Sequence, residues 1–271
     1  MQLIHAHELA ELVEYGEAEA FADMFDASPE YQGQRVERIA GAYALIAPTM
    51  PLILFNRVLG LGLKESIHDD VLHRITVVYR NAGVKSWAIQ IAPDSLNEQT
   101  EKRFAAHGLA RHSHWEKVYR EAVSDIHINT DLSVRRIDVD MAEAYADVCL
   151  IAFGMPPALK SGLVALVGRQ GWQHFMAFDG EMPVACGALF ARNGVGWLGQ
   201  GGTLPSHRRR GAQGEIMAMR VREAQAAGCA WVITETGADT PEHPNPSFHN
   251  MLRTGFRHAY QRPEFIFETP A

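Results

Sequence analysis

The chain has 271 residues, 47% hydrophobic and 21% charged, which is enough to fold around a buried core and favours two modest domains. Its net charge of -7 argues against a surface that tracks nucleic-acid phosphates, and no apolar run approaches the roughly 20 residues that cross a bilayer. The three cysteines lie far apart, and the start lacks a basic segment followed by an apolar one. These features predict a cytoplasmic protein with reduced thiols and without a signal peptide.

In the first half, the clearest predicted unit is a helix followed by a strand. The pattern predicts a helix over Val71 to Arg80 and a strand over Trp87 to Ile91. A polar stretch near Ala122 to Thr130 is the predicted linker. The predicted domains are therefore residues 1–125 and 126–271.

The second half predicts a meander of strands followed by helix, strand, helix and strand. In chain order its predicted elements are the strand Leu132 to Ile137, the helices Met141 to Phe153 and Leu159 to Val167, the strands His174 to Phe178, Val184 to Ala191 and Trp197 to Leu204, the helix from about Gly214 to Ala227, the strand Ala230 to Thr236, the helix Ser247 to Arg253 and the strand Phe256 to Phe267. This order predicts an α+β fold with a mixed sheet flanked by helices. Only the middle strand–helix–strand unit is expected to be parallel.

The two halves share a pattern of helix, glycine, strand and second glycine. Gly83 and Gly108 are 25 residues apart (108 minus 83), and Gly228 and Gly255 are 27 apart (255 minus 228). A repeated supersecondary unit of this size predicts two homologous domains in tandem.

A basic, glycine-containing loop, Pro205 to Gly214, lies between a predicted strand and a predicted helix. Backbone N–H groups at a helix start, together with the helix dipole, form an anion site, and arginine side chains add charge-assisted bonds to phosphate. Gly211 permits a close approach to a ligand, and Gly199-Gln200-Gly201-Gly202 indicates a bulged or bent strand before the loop. The alternative interpretation is a basic surface loop that only caps a helix.

The loop resembles the cofactor motif of the GNAT acyltransferase superfamily, Arg/Gln-x-x-Gly-x-Gly/Ala behind a strand that ends in x-Pro. Arg208 and Gly211 fit this motif, and Pro205 stands where the family commonly has proline. Gln213 occupies the last Gly/Ala position, with Gly214 following, which is a departure from the motif.

A second GNAT signature is an Asn-containing loop, a short helix, Gly-Phe and a strand. The segment from Asn245 to Phe256 resembles it, and the whole resemblance covers roughly Asp131 to Glu268. It implies two GNAT-like α+β domains, of which the second is complete and the first is degenerate.

The resemblance implies acetyl-CoA as co-substrate and direct transfer of its acetyl group to an amine of a small molecule or peptide. The backbone of Thr203 and Leu204 would bond the pantetheine, and the amides from Arg209 to Gly214 would hold the pyrophosphate. The complete predicted cofactor set is Thr203, Leu204, Arg208, Arg209, Arg210, Gly211, Ala212, Gln213, Gly214 and Asn245. No metal, nucleic acid or membrane is expected as a partner. Whether the chain forms a homodimer is left undecided.

The catalytic residues are less clearly marked than the cofactor loop. GNAT enzymes often protonate the leaving thiolate from a tyrosine four residues before the Gly-Phe glycine, but counting back from Gly255 gives Met251. Tyr260 and His249 are the candidate substitutes, and Glu235 is a candidate base acting through water. Each of the three has the alternative of a packing or surface role, and proximity alone could also drive transfer.

Two other interpretations stay open, a non-catalytic CoA-sensing module and a protein-interaction module on a GNAT scaffold. Arg57-Val58-Leu59-Gly60-Leu61-Gly62 also matches the cofactor motif literally, but an acidic insert follows it. It is predicted to be a strand and turn that binds no cofactor. The pairs His5-x-His7 and His112-x-His114 lack a third ligand at a zinc spacing, so no metal site is predicted.

Overall fold

The structure is a computed structural model that describes residues 4–28, 33–123 and 126–268. In chain order the helices and strands are α1 Ala6–Asp26, β1 Arg35–Ile39, β2 Ala42–Ile46, β3 Arg57–Leu59, α2 Asp69–Asn81, β4 Ser86–Gln90, α3 Glu98–Ala106, β5 Leu109–Glu121, β6 Ser133–Ile137, α4 Ala142–Phe153, α5 Lys160–Leu166, β7 Trp172–Asp179, β8 Met182–Arg192, β9 Val195–Thr203, α6 Ala212–Ala226, β10 Trp231–Gly237, α7 Pro246–Arg253 and β11 Arg257–Glu268. The predicted elements of both halves are present, and the fold is the predicted α+β arrangement with a mixed sheet.

The chain divides into two compact units that are not continuous in sequence. The first takes the residues up to Lys117, Glu235–Asn245 and the residues from His258 onward. The second takes Val118–Thr234 and Pro246–Arg257. The predicted division into residues 1–125 and 126–271 stays a prediction about domains, and Ser124 and Asp125 of the predicted linker lie outside the described residues.

In the first unit, β1, β2 and β3 form an antiparallel meander, β3 and β4 pair in parallel, and β4 pairs antiparallel with β11. Helix α2 connects the parallel pair and buries Val71, Leu72, Ile75 and Tyr79 against the sheet. The ring of Tyr79 stacks on Trp87 of β4 at 4.6 Å between centroids. The predicted helix and strand of the first half are therefore confirmed, and together they form its core.

In the second unit, β6, β7, β8 and β9 form an antiparallel meander, and β9 and β10 pair in parallel through α6. Helix α6 packs on one face of this sheet with Ile216, Met217 and Val221 in a shared apolar cluster. Helix α4 belongs to a second cluster, with Tyr145 and Cys149 beside Met176 of β7. The expectation that only the strand–helix–strand unit of this half is parallel is confirmed for the strands of this meander and β10.

Helix α1 is an element that the sequence analysis did not predict. Its inward side carries the fully buried carboxylates Glu14 and Glu17 among apolar residues such as Val13 and Phe21. Charged residues at buried positions interrupt the apolar stripe by which an amphipathic helix is recognised. Among the described residues, no helix is long and apolar enough to span a membrane.

Candidate functional site

The candidate site lies along the edge of β9 that faces β10. On one side, β9 pairs with β8 along its length, from Arg192↔Val195 to Ala185↔Thr203. On the other side it pairs with β10 over only three residues, Val195–Trp197 against Trp231–Ile233. The Thr234 hydroxyl then donates to the carbonyl of Leu198 at 2.6 Å. Within the described part of the second unit, residues 199–203 of β9 thus have no strand partner on this side.

A β-bulge shapes this open stretch of β9. The register with β8 shifts between Cys186 and Ala188, and Gln200 takes a left-handed φ of 55°. The side-chain oxygen of Gln200 accepts a hydrogen bond from the Tyr145 hydroxyl at 2.8 Å, and its carbonyl accepts one from the Cys186 thiol at 3.3 Å. A Cβ at Gly202 would lie 2.7 Å from the Cβ of Ala152. The bulge that the glycine-rich sequence indicated is confirmed.

A buried arginine of α6 lies against the other face of the bulge. The Arg220 side chain is 3% exposed, and its guanidinium donates to the carbonyls of Ala188 and Gly199, at 3.1 and 3.0 Å, and to that of Ile216. Burial lowers the pKa of Arg220 to about 10. This residue was not predicted from the sequence, because an arginine inside a helical pattern is typical of a solvated face.

The loop after β9 leads into the start of α6. A short turn at Pro205–His207 is followed by Arg209 with φ 66° and Gly211 with φ 85°. The amide of Glu215 donates to the carbonyl of Gly211 and opens the helical hydrogen bonds. Among the described residues, the N–H groups of the first three helical positions, 212–214, have no acceptor. Three unpaired donors at the positive end of a helix dipole form an anion-binding geometry.

The three arginines of the loop have different partners. Arg210 forms ion pairs with Asp131 and Asp179, and these bonds lower the pKa of both carboxyls. Arg208 donates through Nε to the carbonyl of Thr203 at 3.4 Å, at the open edge of β9. Arg209 is exposed and has no ion pair among the described residues. Arg209 is thus the arginine most available to a ligand, whereas two carboxylates occupy Arg210.

Two of the predicted cofactor residues, Leu204 and Gln213, form hydrogen bonds within the second unit that the sequence did not indicate. The amide of Leu204 donates to Val184 and its carbonyl accepts from His207, both at 2.9 Å, so its N–H is not available to a pantetheine arm. The Gln213 side chain donates to Ser247 at 3.1 Å and accepts from Asn250 at 2.6 Å. Gln213 thereby joins α6 to α7, which explains why a side chain replaces the Gly/Ala of the motif.

Gly211 is required by the chain itself. A Cβ at Gly211 would lie 2.7 Å from the carbonyl oxygen of Asn129, and one at Gly214 would lie 3.1 Å from Cδ1 of Ile128. The hydroxyl of Thr130 also donates to the carbonyl of Arg210 at 2.7 Å. The segment before β6 thus gives Gly211 a reason within the chain, and its part in a cofactor site stays a prediction.

The predicted catalytic residues fall into different units. His249 lies on α7 of the second unit, whereas Glu235, Tyr260 and the predicted cofactor residue Asn245 belong to the first. The Asn245 amide donates to Thr236 and to the carbonyl of Gly237, so it fixes the end of β10. The catalytic roles of His249, Glu235 and Tyr260 stay predictions.

Glu235 and Tyr260 contact a buried ionic cluster of the first unit. Lys117 bridges Glu17 and Glu235 with N–O distances of 2.7 and 3.2 Å, and burial raises the pKa of Glu235. Tyr260 donates its hydroxyl to Glu14 at 2.8 Å, and burial raises its pKa well above the usual range. A tyrosine held in this way is a poor proton donor near neutral pH.

The first unit carries the literal copy of the motif in a different environment. Arg57 is fully buried, with Glu17 at 2.8 Å and the Gln90 side chain at 2.7 Å. A Cβ at Gly60 would lie 2.8 Å from the ring of Tyr15, and α2 begins with two aspartates. The arginine is neutralised internally and the helix start is acidic, which argues against phosphate binding.

Comparison with family models and with curated protein sequences gives no match. Solved structures do match. A GCN5-related N-acetyltransferase from Sphaerobacter thermophilus has a TM-score of 0.64 and 12% identity, over 97% of this chain and 94% of its own. One from Kribbella flavida has a TM-score of 0.58 and 16% identity, over 92% and 95%.

A tandem GNAT protein from the clavulanic acid biosynthesis pathway is similar over 79% of this chain and 75% of its own, with a TM-score of 0.56 and 14% identity. At such identities the similarity concerns the fold, and function has to be argued from the site. The resemblance first drawn from the loop at Pro205 and the segment from Asn245 is confirmed at that level. The chain has the fold of the GNAT acetyltransferases.

Proposed function

We propose that the second unit binds acetyl-CoA along the open edge of β9 and at the start of α6, and transfers the acetyl group directly to an amine. The observation that carries this proposal is the early separation of β9 from β10. Among the residues that the structure describes, it leaves 199–203 without a strand partner on that side and leads directly to the three unpaired amides of α6. An extended, amide-containing arm can pair with such a strand edge, and a pyrophosphate fits such a helix start.

Different parts of the site would hold different parts of the ligand. In an antiparallel pair, the backbone groups of alternate residues point away from the neighbouring strand. Because Leu204 bonds to β8, the neighbouring Thr203 directs its backbone groups to the open edge. We assign the pantetheine to this edge and the pyrophosphate to the amides of residues 212–214. Arg208 and Arg209 add positive charge beside the phosphates.

Acetyl-CoA would supply an activated thioester. The chain would hold the thioester in place and provide hydrogen-bond donors to it. Backbone N–H groups along the bulge can donate to the thioester oxygen, whose negative charge grows during attack by an amine. The acceptor is an amine of a small molecule or peptide. Since transfer is direct, none of the three buried cysteines is required as a nucleophile.

The test is calorimetric titration of the full chain with acetyl-CoA, beside Arg209→Glu and the control Arg74→Glu. Both changes reverse the charge of an exposed arginine, but Arg74 belongs to the first unit, where it forms a surface pair with Asp70 at 4.0 Å. We expect micromolar binding that weakens about tenfold in Arg209→Glu only, which corresponds to roughly 1.4 kcal/mol. No binding by the unaltered chain would refute the proposal.

A second candidate function is a CoA-binding module without transferase activity. It is favoured by Met251, which stands at the family's tyrosine position and is packed in the core beside Phe248. Release of free thiol from acetyl-CoA in the presence of a panel of amines separates the two functions. Binding without amine-dependent thiol release across the panel would favour the module.

A further inference from the structure

Arg220 is a buried cation for which no carboxylate partner is found in the described residues. Its three hydrogen bonds all go to backbone carbonyls, those of Ile216, Ala188 and Gly199. The titratable groups that interact with it electrostatically are the Tyr145 hydroxyl of α4 and the Cys186 thiol of β8. An unpaired charge in a protein interior is unfavourable, so its presence calls for a compensating role.

The position of Arg220 links it to the open edge of β9. Its guanidinium spans the register shift by bonding one carbonyl on β8 and one on β9. A Cβ at Gly201 would lie 3.3 Å from its second terminal nitrogen, and one at Gly187 would lie 3.0 Å from its central carbon. The glycines at both positions thus leave room for the guanidinium under the bulge.

From the other face, the Tyr145 hydroxyl bonds the Gln200 side chain, so the bulge is held on both sides. A non-glycine residue at a left-handed φ is strained by about 1 kcal/mol, and such strain persists only where the surroundings enforce it. Here Arg220 and Tyr145 are the enforcing contacts. They fix where the backbone of residues 199–202 presents its N–H groups.

We infer that Arg220 is a positioning residue for thioester transfer, which holds the β9 bulge in shape and whose unpaired charge favours the thiolate of the departing CoA. This inference rests on the proposed function, since it assumes that the thioester lies beside the bulge. In the reaction the amine nitrogen forms a bond to the acyl carbon and loses a proton to solvent. The carbon–sulfur bond breaks, and its electron pair stays on sulfur as a thiolate.

A thiolate-stabilising charge also compensates for the absence of the family's tyrosine, which Met251 replaces. Met251 cannot protonate the leaving sulfur, and Tyr260 is bonded to Glu14 in the first unit. A leaving group that departs as a stabilised thiolate needs no proton in the transition state. Arg220 is suited to this role because it stays protonated at neutral pH even after burial lowers its pKa to about 10.

The experiment compares the affinities of CoA and of desulfo-CoA, an analogue without the sulfur, by calorimetry at about pH 6.5 and about pH 9. A nearby cation lowers the pKa of the bound thiol, so the affinity of CoA rises with pH relative to that of desulfo-CoA. For a depression of one pKa unit from an ordinary thiol value of about 8.5, the ratio of the two affinities should rise about sevenfold. Because the two ligands differ in the sulfur, a pH effect that comes from Tyr145, Cys186 or another protein group changes both affinities and drops out of their ratio.

Two variants assign the effect to Arg220. Arg220→Lys keeps the charge and should keep most of the pH-dependent ratio, whereas Arg220→Met should abolish it. Circular dichroism and thermal melting report whether each variant is folded. Should Arg220→Met fail to fold, the neutral variant Arg220→Gln, which keeps a hydrogen-bond donor for the strand carbonyls, replaces it with the same expected result.

The outcomes separate this inference from the proposed function. If the unaltered chain binds both ligands with a ratio that does not change with pH, the role of Arg220 is refuted while the cofactor site stands. A pH-dependent ratio that persists in a folded Arg220→Met refutes it as well. If neither CoA nor desulfo-CoA binds, the proposed function fails together with the inference.

Discussion

The two halves of the chain contain the same short pattern, arginine followed three residues later by glycine, in opposite environments. In the second unit, Arg208 is exposed and Gly211 opens a helix whose first amides are unpaired. In the first unit, Arg57 is fully buried against Glu17, and the following helix begins with aspartates. A motif of backbone and charge predicts a ligand site only when its charge remains available to a ligand.

The largest expected contrast is in stability. Arg57→Leu should lower the free energy of unfolding of the first unit by about 3–5 kcal/mol, because it removes one cation from a buried ionic cluster. Arg208→Leu, the matched change in the second unit, should stay within about 0.5 kcal/mol. Urea unfolding followed by tryptophan fluorescence measures both. Equal losses would contradict the distinction between a structural and an available arginine.

As the pH is lowered, the second unit should lose stability at a higher pH than the first. His174 is buried between the rings of Tyr145 and Trp172, and burial together with Arg136 lowers its pKa to about 3. Its neutral form contributes stability that is complete above the ordinary value of about 6.5 and is lost as the pH falls toward 3, by up to about 1.4 kcal/mol per pH unit.

In the first unit, burial opposes the ionisation of Glu17, but Arg262, Lys117 and Arg57 outweigh it and lower the pKa. Stability from a depressed carboxyl pKa is present above the ordinary value and is lost only at more acidic pH. Between about pH 6.5 and 5, the protection factors from hydrogen exchange, which are corrected for the slower intrinsic exchange at lower pH, should therefore fall in β7 and β8 but not in β4. His174→Phe should remove this dependence, and an unchanged profile would contradict the assignment.

A smaller effect is expected from the glycines that open the two loops. Gly211→Ala and Gly60→Ala both place a Cβ under 3 Å from another atom at a positive φ. Each should destabilise its unit by about 1–3 kcal/mol, measured as a loss in the midpoint of thermal unfolding. Only Gly211→Ala should also weaken acetyl-CoA binding by the folded protein. If Gly60→Ala weakened it equally, the first loop would have to be included in the site.

The smallest effect concerns the acidic neighbours of the two loops. Asp179→Asn removes one of the two carboxylates that hold Arg210 and should strengthen acetyl-CoA binding about two- to fivefold at low salt. The control Asp70→Asn, at the start of α2, should leave the affinity unchanged. Calorimetry at two salt concentrations measures both, and a gain that persists at high salt would argue against an electrostatic cause.

Local patterns in the sequence were enough to predict most of the helices and strands of the second unit. The β-branched and aromatic runs of β7 and β8, the turns between them and the glycine stop after α6 all act through neighbouring residues, so they could be recognised without the fold. The loop at Pro205 was recognisable for the same reason, since its role depends on consecutive backbone groups. Residues in β11 were also predicted as a strand, but their place in the first unit was not predictable from periodicity.

The sequence by itself determined the α+β order of elements, the bulge at Gly199 to Gly202 and the basic, glycine-containing loop at the start of α6, because each depends on residues adjacent in the chain. Only the tertiary structure decided that Arg57 is neutralised by Glu17 and that Arg210 is occupied by Asp131 and Asp179. It also decided that Arg220 lies under β9 with carbonyls, and no carboxylate of the described residues, as its partners. In all three cases the availability of a positive charge depends on residues tens of positions away. Burial and long-range ion pairs are set by packing, which no local pattern encodes.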